Sequence, residues 1–393
     1  MTDSIVIVSA ARTPMGSFQG DFSSLVAHDL GGVAIKAAVQ RAGIRSDQVD
    51  EVLFGNCLMA GQGQAPARQA AFKGGLPISA GAVTLSKMCG SGMRAAMFAH
   101  DMLLAGSADV LVAGGMESMT NAPYLLPKAR GGYRIGHDRI FDHMMLDGLE
   151  DAYEAGRSMG TFGEDCAAKY GFTREQQDQF AIASVQRAQA ATKSGAFAGE
   201  IAPVTVKGRA GDTVISIDEG PGKVKLEKIP TLKAAFKKDG TITAASSSSI
   251  NDGAAALVLM RSSSAAKLGL KPLARIVSHA VHAQEPNWFA TAPVGAVKKA
   301  LAKAGWSVKE VDLWEVNEAF AVVPMALMHE LGLSHEIVNV NGGACALGHP
   351  IGASGARIMV TLLYALQARG LKKGVATLCI GGGEGTAVAL ELC

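Results

Sequence analysis

Residues 34–52 read AIKAAVQRAGIRSDQVDEV, and residues 296–314 read AVKKALAKAGWSVKEVDLW. In both segments a helical pattern of alanine, valine and basic residues ends at an Ala-Gly pair, which is typical of a helix C-terminus. A Val-Asp pair then leads into a short apolar run that reads as a strand. The similarity of the two segments indicates that the chain contains one folding unit twice.

The elements around these two segments recur in the same order. Each segment is preceded by a strand and followed by a helix that begins with glycine and then by an apolar strand. The matching strands before the segments are IVIVSAART (5–13) and ARIVSHAVH (274–282). The matching helices are CGSGMRAAMFAHDMLLAG (89–106) and GASGARIMVTLLYALQARG (352–370), and the matching strands after them are DVLVAGGMES (109–118) and GVATLCIGGGEG (374–385). Strands that alternate with helices are typical of layered α/β folds. Any α/β protein shows some internal likeness, but several elements in one order favour duplication. We therefore predict an α/β fold with a duplicated layered core.

A segment between the two copies, residues 119–251, breaks the pattern. It contains an amphipathic helical stretch, TREQQDQFAIASVQRAQAATKSG, in which Thr173 and Gln176 resemble a capping box and Gly195 resembles a C-cap. A region rich in lysine, glycine and proline follows at 203–241. We interpret the whole segment as a loop domain inserted into the core.

The domain boundaries follow from this interpretation. With 393 residues the chain is long enough for two or three domains. We predict an N-terminal half formed by residues 1–118 with 252–270, the inserted loop domain at 119–251, and a C-terminal half at 271–393.

Composition argues against several classes of protein. Lys+Arg 37 against Asp+Glu 35 leaves a net charge of +2, so no global charge points to nucleic acid or an anionic membrane as a partner. No apolar stretch approaches the ~20 residues of a membrane span, and no leader pattern opens the chain. The cysteines form no C-x-x-C pair, so we expect no metal site, and free thiols in a reducing cytoplasm. They are Cys57, Cys89, Cys166, Cys345, Cys379 and Cys393.

Two of these cysteines lie in glycine-rich turns nearly 300 residues apart. Cys89, in LSKMCGSGM, precedes a helix, where unpaired backbone N–H groups and the helix dipole favour a thiolate. Cys379 ends an apolar strand and is followed by three glycines, whose N–H groups can surround an oxyanion. A buried structural cysteine is the ordinary alternative for each of them. A nucleophilic thiol beside a proton-carrying thiol would suit carbon–carbon bond formation or cleavage next to a thioester.

A histidine and an asparagine complete the candidate set. His349, in ALGHPIGASG, precedes a proline, so we expect its ring in a turn before a helix, where it could activate a thiol. Asn317 follows the strand VDLWEV, at the end where sites of α/β folds collect. A packing histidine and a turn asparagine are the alternatives if either residue is considered alone.

Taken together, these segments resemble the thiolase family. The shared motifs are MCGSG around Cys89, GGMESM (114–119), NDGAA (251–255), NEAF (317–320), NGGACALGHPIGASG (341–355) and CIGGGEG (379–385). They extend over essentially the whole chain. The resemblance implies two repeated αβαβα halves with an inserted loop domain, and an acyltransferase that uses coenzyme A thioesters and needs no cofactor.

The resemblance also implies roles for the candidate residues. Cys89 would be the acylated nucleophile, and His349 would activate it. Cys379 would remove or return the α-proton of acetyl-CoA. One oxyanion hole would consist of His349 and a water held by Asn317, and the other of the N–H groups of Cys89 and Gly381. Both thiol pKa values would then lie near the working pH.

Further positions match those that line the pantetheine channel of coenzyme A in this family. They are Leu149, Met159, Phe236, Ala244, Ser248, Ile250, Ala319 and Phe320. The insert also carries a basic cluster that could hold the phosphates, although a solvated face is the usual explanation for such a cluster. It consists of Lys207, Arg209, Lys223, Lys225, Lys228, Lys233, Lys237 and Lys238.

The implied activity is reversible Claisen condensation of two acetyl-CoA molecules, or thiolysis of a short-chain 3-ketoacyl-CoA. The segment EPNWFATAP (285–293) resembles that of members which also accept 2-methyl-branched substrates. Two other classes stay open: a non-catalytic acyl-CoA-binding protein, and a decarboxylating ketoacyl synthase, which would require a histidine or asparagine in place of Cys379. The family resemblance also implies a homodimer or homotetramer.

Overall fold

The computed structural model describes residues 3–209 and 211–393. The first two residues of the predicted N-terminal half and residue 210 of the predicted insert therefore lie outside the described residues. The strands are β1 (Ile5–Arg12), β2 (Gly16–Ser17), β3 (Glu51–Gly55), β4 (Gly81–Leu85), β5 (Val110–Ser118), β6 (Tyr124–Leu125), β7 (Phe141–Asp142), β8 (Val204–Val206), β9 (Thr213–Ile215), β10 (Asn251–Arg261), β11 (Ala274–Ala283), β12 (Leu313–Val316), β13 (Lys373–Ile380) and β14 (Glu384–Leu392). The α-helices are α1 (Ala27–Ala42), α2 (Pro66–Lys73), α3 (Ser91–Ala105), α4 (Met159–Tyr170), α5 (Arg174–Ser194), α6 (Glu219–Lys223), α7 (Ser262–Lys267), α8 (Ala292–Ala304), α9 (Val322–Leu331), α10 (Ala344–Leu347) and α11 (Ile351–Arg369).

The sheet topology contains the same arrangement twice. The main sheet runs β12-β13-β14-β11-β1-β10-β5-β3-β4, and β2 pairs with β10. In one half β10 is antiparallel to both β5 and β1, while β3 is parallel to β5. In the other half β14 is antiparallel to both β13 and β11, while β12 is parallel to β13. The halves meet where β1 pairs with β11. The predicted α/β class and the duplicated core are confirmed.

Helices form the remaining layers. On one outer side α1 packs against β10 and β5, and on the other α8 packs against β11 and β14. Between the halves α3 packs against α11, which contacts β5 and β10 of one half and β12 and β13 of the other. Every residue from 351 to 363 of α11 is buried, as expected for a helix that is apolar on most sides.

The central helix corrects one sequence expectation. Within residues 3–209 and 211–393, α11 is the one helix long and apolar enough to cross a membrane. However, 83% of its apolar stretch is buried inside the protein. Because strands from both halves of the main sheet pack against it, its hydropathy is explained by its place in the core.

The insert is attached to the core by buried charges. Its helix α5 begins after Thr173 and ends before Gly195, and the capping box of Thr173 and Gln176 forms as predicted. Arg12, at the end of β1, is fully buried and pairs with Glu200 and Asp218 of the insert, each at 2.6 Å. A buried charge needs such partners, so these ion pairs join the insert to the first strand.

Candidate active site

Cys89 lies in the turn between β4 and α3, as predicted. The residue before it, Met88, has φ of 45°, a left-handed conformation that directs the chain sharply into the helix. Burial raises the pKa of the Cys89 thiol to about 11, against the opposing effect of the nearby backbone N–H of Gly381. The expectation that the helix terminus would favour a thiolate is therefore wrong for the resting protein, because desolvation outweighs these dipoles.

Cys379 lies next to the end of β13 and is fully buried. Burial raises the pKa of its thiol, and the neighbouring Cys89 raises it further. The chain then turns through Gly382 and Gly383, at φ of 89° and 84°, which glycine adopts without strain. The residues that follow the two cysteines are in contact, since a Cβ on Gly90 would lie 2.4 Å from Ile380 Cδ1, so the two cysteine-bearing segments lie side by side.

His349 occupies the turn between α10 and α11, also as predicted, and it is 6% exposed. Its Nδ1 lies 2.5 Å from Ser354 Oγ, and its Nε2 lies 3.5 Å from Asn317 Nδ2. Burial, and next the charge of Arg357, lower the pKa of the ring to about 3. The ring is therefore neutral at pH 7.

Asn317 follows β12 and is fully buried. Its backbone N–H donates to Thr377 O at 3.0 Å, which fixes it beside β13. Its Oδ1 has no hydrogen-bond partner among the described residues. An orphaned buried acceptor of this kind is suited to hold an ordered water or a polar group of a substrate.

The site also depends on Glu117, to which the sequence reasoning assigned no role. This residue of β5 is fully buried and accepts hydrogen bonds from the N–H groups of Cys57 (3.0 Å), Leu58 (3.1 Å) and Gly352 (2.8 Å) and from Asn56 Nδ2 (2.5 Å). It thereby joins the loop after β3 to the start of α11. A glutamate near the end of an otherwise apolar strand was the available signal, because an isolated buried carboxylate is costly.

The predicted pantetheine positions lie around these catalytic candidates. Leu149 and Ile250 pack on the apolar cluster that also contacts Cys89. Phe236 and Phe320 stack edge to face with ring centroids 5.6 Å apart. The N–H of Ser248 donates to Ala319 O at 3.0 Å.

The two remaining pantetheine positions are Met159, near Gly381, and Ala244, at a cavity. Met159 begins α4, and its Cε lies 3.7 Å from where a Cβ on Gly381 would be. Ala244 lines an open cavity of about 530 Å³. The predicted channel positions thus include two residues near Cys89, one beside Gly381 and one that lines this cavity.

The cavity accounts for part of the predicted basic cluster. Lys223, Lys225 and Lys228 line it, together with Ser249. Lys207 does not, because it lies at a separate cavity beside α1. The cluster is thus divided, and three of its lysines stand where a phosphate-bearing ligand could enter.

Comparison with known proteins follows the same division into two repeats. Residues 5–263 match the family model described as "Thiolase, N-terminal domain". Residues 270–392 match the model described as "Thiolase, C-terminal domain". Together the two models extend over nearly the whole chain.

Individual relatives are similar over their full length. The chain is 51% identical to an acetyl-CoA acetyltransferase of Chromobacterium violaceum, over 98% of this chain and 99% of that protein. It is 50% identical to an acetyl-CoA acetyltransferase of Cupriavidus necator, over 100% of both. The crystal structure of the Bacillus anthracis acetyl-CoA acetyltransferase superposes with a TM-score of 0.97 at 41% identity, over 100% of this chain and 99% of that one. These matches and the duplicated architecture show that the chain belongs to the thiolase family.

Proposed function

We propose that this chain is an acetyl-CoA C-acetyltransferase, which joins two acetyl-CoA molecules reversibly to acetoacetyl-CoA and coenzyme A, or cleaves a short 3-ketoacyl-CoA with coenzyme A. The relatives named above carry this activity in their names. One structural observation supports it most directly: the residues that follow Cys89 and Cys379 are in contact, since a Cβ on Gly90 would lie 2.4 Å from Ile380 Cδ1. A nucleophile and a proton carrier are the two groups that this reaction needs.

The first half of the reaction forms an acyl-enzyme. Because Cys89 rests as a thiol, its proton passes to His349 as the sulfur attacks the thioester carbonyl. The carbon–sulfur bond to coenzyme A then breaks. The leaving thiolate takes the proton of Cys379, which leaves a Cys379 thiolate near a His349 imidazolium.

The second half forms the carbon–carbon bond. The Cys379 thiolate removes an α-proton from a second acetyl-CoA, and the enolate attacks the acyl carbon on Cys89. The sulfur of Cys89 leaves and recovers its proton from His349. Both thiols are neutral again, in agreement with the raised pKa of each.

Two sets of donors would stabilise the negative oxygens. The N–H groups of Cys89 and Gly381 are assigned to the acyl carbonyl, since both favour negative charge at the Cys89 sulfur. His349 and a water on Asn317 are assigned to the enolate oxygen. The unpaired Oδ1 of Asn317 supports this assignment.

Coenzyme A is assigned to the insert. Its pantetheine would run along the eight channel positions described above, and its phosphates would meet Lys223, Lys225 and Lys228. We keep the division into an N-terminal half (1–118 with 252–270), a loop domain (119–251) and a C-terminal half (271–393) as part of this proposal. The chemistry needs no cofactor beyond the thioester itself.

The site is also consistent with a homodimer or a tetramer built from dimers, in a reducing cytoplasm. β4 is the terminal strand of the main sheet, and an edge strand can pair with a second copy of itself. Apolar side chains near this edge are exposed, among them Ile78 and Val83. We therefore propose β4 as the dimer contact. The free thiols of Cys89 and Cys379 require reducing conditions.

The test is acyl transfer from radiolabelled acetyl-CoA, followed by gel filtration under denaturing conditions. Wild-type protein should retain label on Cys89, and Cys89→Ala should retain none. Cys379→Ala should still be labelled but should form no acetoacetyl-CoA, because it lacks the base for the second half. Loss of labelling in both variants alike would contradict the assigned roles. Thiolysis of acetoacetyl-CoA, 2-methylacetoacetyl-CoA and longer 3-ketoacyl-CoA esters then defines the acyl preference.

A further inference from the structure

Ser354, a serine on α11, contacts the candidate base His349 on the Nδ1 side of its ring. Ser354 Oγ lies 2.5 Å from His349 Nδ1 and 2.9 Å from Pro350 O. Ser354 is fully buried, and its hydroxyl is held one helical turn after Pro350. A hydroxyl has one proton, so only one of these two contacts can receive it.

The carbonyl decides where that proton goes. Pro350 O can only accept, so the Ser354 hydroxyl donates to it and presents a lone pair to Nδ1. Nδ1 of His349 must then carry a proton and donate. This assignment leaves Nε2, on the opposite side of the ring, with a free lone pair.

The contact on the Nε2 side of the ring leads to the same assignment of the proton. The hydrogen-bond partner of Nε2 is Asn317 Nδ2, a donor, at 3.5 Å, which suits an unprotonated nitrogen. Burial and the charge of Arg357 keep the ring neutral, and a neutral imidazole carries one proton in total. Both contacts therefore place that proton on Nδ1.

The first repeat shows the same hydroxyl geometry without a histidine. Ser91 occupies on α3 the position that Ser354 occupies on α11, within the matching sequences GSGMR and ASGAR. Ser91 Oγ donates to Met88 O at 2.7 Å and accepts from the N–H of Lys87 at 2.8 Å. In both repeats the serine proton goes to a backbone carbonyl and the oxygen accepts. The second repeat replaces the backbone donor by the His349 ring.

We infer that Ser354 is a positioning residue that holds His349 as the Nδ1–H tautomer. This directs the basic Nε2 away from α11 and makes it the atom that takes the Cys89 proton. The same oxygen stabilises the imidazolium, since it continues to accept from Nδ1–H after the transfer. The inference rests on the proposed function, because it requires His349 to act on Cys89.

The test compares Ser354→Ala with Thr361→Val. Thr361 is also buried on α11, and its hydroxyl bonds to Glu200 instead of His349. We expect Ser354→Ala to slow acetylation of Cys89 by about 10- to 100-fold, the range seen when a partner that orients a metal-ligating histidine is removed. The KM for acetyl-CoA should change little, since no predicted coenzyme A position is altered. Thr361→Val should acetylate at the wild-type rate.

A second readout and a conservative variant separate positioning from folding. The rate at which iodoacetamide alkylates Cys89 at pH 7 should fall in Ser354→Ala, and Ser354→Thr, which keeps the hydroxyl, should recover both rates. Thermal unfolding checks that the variants fold; if Ser354→Thr does not, Ser354→Ala against Thr361→Val decides. Wild-type acetylation in Ser354→Ala, or an equal loss in Thr361→Val, would overturn the inference and leave the proposed function intact. Absence of label on wild-type Cys89 would instead overturn the proposed function.

Discussion

Cys379 and His349 are buried and Cys89 is half-buried, and the pKa of each group is shifted in the direction that favours its neutral form. Desolvation is the largest cause in all three cases. A resting thiolate–imidazolium pair is therefore disfavoured, and the proton of Cys89 moves only when a carbonyl is present to receive the sulfur. This arrangement protects the nucleophile from reaction in the absence of an acyl donor.

Behind the same site lies a buried charge pair whose titration can be measured. Glu315 Oε2 lies 3.7 Å from Arg357 Nη1, and burial raises the pKa of Glu315 to about 8. Between about pH 4.5 and 8 the folded protein therefore keeps a proton that the unfolded chain has released. The free energy of unfolding should fall as pH rises through this window, by up to ~1.4 kcal/mol per pH unit from this group.

Glu315→Gln should remove the contribution of this group to the fall of the free energy of unfolding between pH 5 and 8. Urea unfolding followed by tryptophan fluorescence measures it, and the buried Trp314 is a suitable probe. Glu310→Gln is the control, because hydrogen bonds to Ser307 lower the pKa of Glu310 to about 2 and place its effect below pH 4.5. An unchanged slope in Glu315→Gln would show that Glu315 is ionised throughout this range.

At the scale of elements, the close approach of β5 to α11 positions the histidine. A Cβ on Gly115 would lie 2.0 Å from Gly352 O, so only glycine permits this contact. Gly352 also donates its N–H to Glu117, which holds the start of α11 on the strand. His349 directly precedes this start, so its place depends on a glycine of the other repeat.

Gly115→Ala should therefore displace the first turn of α11. We expect a loss of stability in the range of ~1–3 kcal/mol for an overpacked core and a larger fractional loss of Cys89 acetylation than of coenzyme A binding. Gly131→Ala is the matched control, since the nearest atom to a Cβ there is 4.0 Å away. Urea unfolding measures the stability, and the labelling assay measures the acetylation of Cys89. A Gly115→Ala protein as stable and as active as Gly131→Ala would refute the close contact of Gly115 with Gly352.

At the scale of the whole molecule, the two ends of the main sheet differ. β4 ends one side as a short strand whose residues are all at least partly exposed, whereas every residue of β12 at the other end is buried. An exposed edge with apolar side chains is a liability unless something covers it. A second copy of β4, related by a two-fold axis, would cover it by the same pairing.

Val83→Lys should weaken this pairing, because a buried, unpaired ammonium at a dimer contact is costly. Light scattering on a sizing column should show a shift toward monomer at micromolar concentration. Leu268→Lys is the control: Leu268 is 42% exposed, like Val83, but it lies at the end of α7. Identical masses for wild type and Val83→Lys would argue against β4 as the contact.

Local patterns were sufficient to predict much of this protein. The duplication was readable because helix ends and strand entries follow short-range rules, and α5 begins and ends at the predicted caps for the same reason. Cys89 and His349 were found because each lies in a glycine- or proline-framed turn, and Asn317 and Cys379 because each lies at or near the C-terminal end of a strand. The fold class and the candidate residues were thus determined by the sequence by itself.

Only the tertiary structure decided how these residues behave. The proximity of Cys89 to Cys379 depends on contacts between parts of the chain that are far apart in sequence. The same is true of the hydrogen bonds that Glu117 accepts from two distant segments, and of the position of α11 in the core. The direction of the thiol pKa values was mispredicted because a helix terminus is a local feature, whereas desolvation is set by everything that surrounds the sulfur. The tautomer of His349 likewise follows from atoms that converge on its ring only after folding.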